Sequence, residues 1–232
     1  VYLGEGKFVS EGDPINAGCF DIISEGEYII SGSYNKKVYD IEESLMPNSK
    51  GVNVVGNTIQ IVKKGKVTFE FNSTEDKGLY GLSVNADYSS NSAQDYLHIS
   101  SVQRISDGVI ICCENANCVI KINDKGETDW ILGGNGDTLS LKDDEKPVST
   151  ASAYEDEKGN IIVFDKGTAE KTSAVIKYTV DEKKNTAVAE KFETEISAGE
   201  YSGTVPAKEN IYSVRFGEKQ EEQTGEDAWL VN

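Results

Sequence analysis

The chain has 232 residues, and 23 Lys+Arg against 40 Asp+Glu give it a formal charge of −17. So acidic a surface repels nucleic-acid phosphates and anionic lipid, which excludes a nucleic-acid-binding or polybasic membrane-binding role. A single histidine, His98, and two arginines, Arg104 and Arg215, exclude chemistry that needs several imidazoles.

Taken in chain order, β-branched and aromatic runs bounded by Gly, Asn, Asp and Ser predict strands: EYIISGSY, NTIQIVKKGKVTFEF, GVIICC, CVIKI, NIIVFD, AVIKYTV and NIYSVRF. The stretches 41–46 and 76–82 tolerate helix, but they are short and loop-like. No stretch approaches the roughly 18 consecutive apolar residues of a membrane helix, so no membrane insertion is expected. The opening VYLGEGKFV has no leader pattern and no initiator Met, which predicts mature or trimmed protein.

Four runs repeat as a turn followed by an apolar strand: 25–33, 107–115, 158–167 and 208–217. Taking Gly26, Gly108, Gly159 and Asn210 as equivalent, the spacings are 82, 51 and 51 residues. Second and third strands follow, as in CVIKI-NDKGE-TDWIL. Turn-linked units of this size predict propeller blades. The fold class expected is therefore all-β, one domain over 1–232, an incomplete propeller of about four blades. The long first spacing predicts an insertion around 76–97.

At DYLHISSV (95–102), VIKINDKGETDWILGG (119–134) and GNIIVFDKG (159–167) the chain resembles the bacterial aryl-sulfate sulfotransferases. The resemblance starts near GCFDIISEGEYI (18–30) and takes in 44–74. It implies the C-terminal majority of a six-bladed β-propeller, an extracytoplasmic or cell-surface location, and sulfuryl transfer from an aryl sulfate to a phenol without a cofactor. That chemistry asks for a neutral imidazole to attack sulfur, a cation for the equatorial oxygens and a donor for the departing phenolate.

Carried over position by position, the family's D-x-x-H histidine is His98. Cys19 stands where the family has another histidine, Glu114 where it has an arginine, Ala151 where it has the nucleophilic histidine, and Ala174 near a further arginine. Alanine has no nucleophilic atom. Glu114 reverses a charge, and one unit charge ~4 Å from another is worth about 4 kcal/mol at an effective dielectric near 20, so a sulfate ester is expected to be repelled. The expectation is a catalytically inactive homologue, a binding or scaffold module whose funnel accepts a small aromatic ligand. Two alternatives stay open: residual sulfotransferase or altered hydrolase activity using His98 and Cys19, and a structural domain completed by strands of a partner chain.

His98 is either a surviving donor or a core histidine whose second nitrogen is satisfied by Ser100 or Ser101. Cys19, His98 and Glu114 are competent Zn²⁺ ligands, and Cys19 with His98 a nucleophile and base, but three ligands without local spacing favour a decayed pocket. Cys113 and Cys118 flank ENAN and either bridge across a hairpin or stay as buried thiols, with Cys112 on the other strand face. NDKGETD (123–129) is read as a hairpin turn rather than a Ca²⁺ loop, and LGGNGD (132–137) lacks phosphate-loop spacing. Trp130 and Trp229 are expected in blade cores, and 218–227 as a solvated acidic loop.

Overall fold

The computed structural model describes residues 1–47, 50–168 and 170–194, without the side chains at 17 and 18, and the backbone of 203–208, 211–215 and 228–231. Trp229 is placed by its backbone alone, and 218–227 lies outside the described residues. The molecule is all-β. β1 (Ile15–Ser24), β2 (Glu27–Val38), β3 (Val52–Lys63) and β4 (Lys66–Asn72) form the first sheet. β5 (Ile99–Ile105), β6 (Gly108–Cys113), β7 (Cys118–Asn123) and β8 (Thr128–Gly133) form the second. β9 (Thr150–Glu155), β10 (Ile161–Asp165), β11 (Ala174–Asp181) and β12 (Thr186–Glu193) form the third. β13 (Gly203–Lys208), β14 (Ile211–Arg215) and β15 (Ala228–Val231) pair as a three-stranded sheet.

Within each sheet, strands neighbouring in sequence pair antiparallel. The β3–β4 turn is Lys64–Gly65, with φ of 51° and 77°. Two positive φ values in a two-residue loop match the right-handed twist of the flanking strands.

Apolar pattern sets how the sheets stack. GVIICC in β6 is buried at all six positions. Val109, Ile111 and Cys113 enter a cluster with Ile29, Ile59, Ile61 and Phe71 of the first sheet. Ile110 and Cys112 enter another with Ile161, Val163, Ala174 and Ile176 of the third. The second sheet is thus covered on both faces, which is why its strand reads as an unbroken apolar run rather than an alternating one. Trp130 is buried in the second of these clusters, and its Nε1 donates to Glu182 Oε1 at 2.8 Å.

First strands of successive sheets touch: β1 on β5, β5 on β9, β9 on β13. The β5–β9 contact is stitched by reciprocal bonds between residues 52 apart. Ser101 Oγ donates to Ala153 O at 3.2 Å and accepts from Ala153 N at 2.9 Å. Gln103 Nε2 donates to Glu155 O at 3.2 Å, and its Oε1 accepts from Glu155 N at 2.6 Å. Trp130 and Glu182 share the same 52-residue offset.

Residues 73–98 join the first sheet to the second. They contain the 3-10 turns Ser73–Glu75 and Lys77–Leu82 and bury Tyr80, Tyr88 and Tyr96 in the cluster between those sheets. The Tyr96 hydroxyl donates to Ser73 Oγ at 2.6 Å, and the Tyr88 hydroxyl donates to Tyr80 O at 2.6 Å. Among the described residues no helix is long and apolar enough to cross a membrane.

Candidate functional site

Antiparallel pairing puts the start of a sheet's first strand and the end of its second at the same end of the sheet. His98, just before β5, therefore meets Glu114, just after β6: Glu114 N donates to His98 O at 3.0 Å. By the same geometry Ala151, near the start of β9, shares an end of the third sheet with Lys166, just after β10.

Asp95 shapes the His98 turn with both carboxylate oxygens. Oδ1 accepts from the His98 backbone N at 2.9 Å, and Oδ2 lies 2.8 Å from the ring Nδ1. His98 sits at a φ of 50°, the left-handed region that non-glycine residues avoid, and its side chain is 55% exposed. With Nδ1 engaged, Nε2 is the nitrogen left for a ligand. The Asp95 hydrogen bond raises the imidazole above its ordinary value; burial opposes it, the charges of Asp95 and Glu114 reinforce it, and Lys166 opposes it. The core-histidine reading is corrected by this exposure. Ser100 and Ser101 do not serve the ring either: their hydroxyls go to Cys112 O and to the Ala153 backbone.

Glu114 does not stand as an uncompensated anion. Lys166 Nζ donates to its Oε2 at 3.0 Å, with both side chains about three-quarters buried. The expectation that Glu114 makes the site repel an anion is corrected, since the pair carries no net charge. Lys166 is held there by a rigid turn. Buried Asp165 accepts from Val148 N, Ser149 N and Gly167 N at 2.9–3.0 Å. Lys166 N donates to Ser149 O at 2.7 Å, and Ser173 Oγ donates to Lys166 O at 2.8 Å. Gly167 has φ of 74°, and a Cβ there would lie 2.2 Å from Lys171 O.

Cys19 is buried and its Sγ donates to Ile99 O at 3.1 Å, not to His98. Burial, with the Glu114 charge adding, pushes the thiol up to about 12, which disfavours the thiolate at neutral pH. Among the described residues no three His, Cys, Asp or Glu side chains are arranged to hold a metal ion. Of the Cys19–His98–Glu114 set weighed for zinc, Cys19 Sγ, Glu114 Oε2 and His98 Nδ1 each have a protein partner. Ala151 packs with Ile162, Phe164 and Val175, and Ala174 is fully buried.

The other motifs have structural uses. In the β7–β8 turn Asn123 Oδ1 accepts from Lys125 N and Glu127 N. In LGGNGD the Asp137 carboxylate itself occupies the amides of Gly133 and Leu141. Two participants were not singled out from sequence, Asp95 and Lys166. Asp95 opens the D-x-x-H pattern, and the offset between Glu114 and Lys166 is the 52 residues of the β5–β9 repeat, so both had a signal.

The family profile described as Arylsulfotransferase (ASST) matches residues 22–221. A search of curated proteins finds no match to the chain.

Proposed function

The chain belongs to the arylsulfotransferase family, and from that premise we propose that it is a propeller-type binding module of the family that has lost sulfuryl transfer. The observation that carries this is the single histidine of the chain, with Ala151 standing, by the resemblance, where the family has its nucleophilic histidine. His98 is held on Nδ1 by Asp95 and has no second imidazole to divide the roles of nucleophile and donor with. Burial, which pushes the Cys19 thiol up, and its hydrogen bond to Ile99 O argue against Cys19 as a substitute nucleophile. The propeller reading is supported by three meandering four-stranded sheets whose first strands touch in succession, joined between the second and third by bonds at a constant 52-residue offset.

The ligand proposed is a small aromatic, at the sheet ends where His98, Glu114 and Lys166 meet. A neutral ion pair beside an exposed imidazole offers donors and an acceptor to a phenolic hydroxyl without demanding a charged ester. Calorimetric titration with a phenol and with p-nitrophenyl sulfate tests this, with nitrophenol release followed in the same sample. Phenol binding without release is expected; release that His98→Ala abolishes overturns the reading.

A second reading is completion of the fold by strands of another chain. Phe20 and Ile22 of β1 pair across from Ile30 and Tyr28, on the face turned away from the second sheet. Leu3 and Val9 cover part of that face, while Phe20 and Ile22 remain exposed.

A further inference from the structure

Cys113 ends β6 and Cys118 opens β7, and the two are direct partners across the antiparallel pair. Directly opposed residues hold their Cα atoms about 4.5–5.5 Å apart, inside the roughly 4.4–6.8 Å that a disulfide spans. Both side chains enter the same buried cluster, against the first sheet. Cys112 faces the opposite cluster, and Cys19 is committed to Ile99 O from another sheet. Register and facing therefore select one pair among the four cysteines, all of which carry free thiols in this structure.

We propose that Cys113 and Cys118 are a disulfide-forming pair that clasps the base of the loop 114–117. That loop is the template for the candidate site. Glu114 N and Asn115 N donate to His98 O and Leu97 O, both at 3.0 Å, and Asn115 Nδ2 donates to Asp95 O at 2.6 Å. Asn115 O in turn accepts from Val84 N at 2.8 Å, so the joining segment 73–98 is anchored on the same four residues. Gly134 packs so closely that a Cβ there would lie 2.3 Å from Ala116 O. A bridge between 113 and 118 fixes the two strand ends from which all these contacts depart.

In the folded chain both sulfurs are shielded, and burial pushes the Cys113 thiol well up, so it is unreactive there. Exchange therefore belongs to the open hairpin during folding, with a small-molecule disulfide such as glutathione disulfide as oxidant. One cysteine thiolate attacks a sulfur of glutathione disulfide and expels a glutathione thiolate. The second cysteine thiolate then attacks the protein sulfur of the mixed disulfide and expels the other. The two protons lost by the cysteines pass to the departing thiolates, and the two electrons leave as two molecules of reduced glutathione.

The test is to unfold and reduce the full chain, refold it in a reduced/oxidised glutathione buffer, and count thiols under denaturing conditions. Two free thiols of four are expected, with a linked peptide joining positions 113 and 118. The melting temperature is expected about 5 °C above that of the same protein refolded with reduced glutathione alone. The shift should vanish in Cys118→Ala and persist in Cys112→Ser. Four free thiols in soluble refolded protein, or a bridge involving Cys19 or Cys112, overturns the proposal, and the count on the unsubstituted chain decides it even where a variant fails to fold.

Discussion

Asp95 commits both oxygens to one histidine, and that sets the pH behaviour of the candidate site. Its hydrogen bond raises the His98 pKa in the folded chain above the ordinary 6.5. A raised folded value means the contact contributes stability fully below pH 6.5 and loses it as pH rises through the folded value. An NMR titration of the His98 ring should show a midpoint above 6.5, and Asp95→Asn should bring it down. The Glu114–Lys166 pair makes a second prediction. Lys166→Met leaves a carboxylate about three-quarters buried without its counter-ion and should cost about 1 kcal/mol in urea unfolding. Adding Glu114→Gln should recover part of that, because the two effects are not additive for groups in contact. Position 114 was legible in sequence as a charge reversal, but its compensation was not, because Lys166 arrives from a different sheet and is aimed by the Asp165 clamp.

Strand elements were legible in proportion to their apolarity. The runs built from Ile, Val and Phe coincide with β2, β3, β4, β6, β7, β10 and β11. The first strands of the three four-stranded sheets, INAGCFDIIS, ISSVQRI and TASAYE, were not read as strands. The polar residues of β5 hold it to β9 partly by side chain–backbone bonds, not by apolar packing alone. Ser101→Ala removes both bonds to Ala153 and leaves its N–H and C=O unpaired at a part-buried contact. The expected loss is about 1–2 kcal/mol, measured by denaturant midpoint. An equal change at exposed Ser10 should stay within about 0.5 kcal/mol.

At the scale of the whole molecule, the second sheet is sealed on both faces, and buried Lys121 ties it to Glu182 of the β11–β12 turn at 2.6 Å and to Asp107 at 2.8 Å. The first sheet differs in leaving Phe20 and Ile22 exposed on its outer face. Completion by another chain predicts a light-scattering mass that rises with concentration and falls back to monomer in a Phe20→Ser/Ile22→Ser double variant. A monomer at every concentration removes that reading and leaves the binding module. The proposed loss of sulfuryl transfer is tested most directly by the intact mass of the protein quenched during incubation with p-nitrophenyl sulfate. The unmodified mass is predicted at every time point, and a mass increased by one sulfuryl group, absent from His98→Ala, would contradict the account.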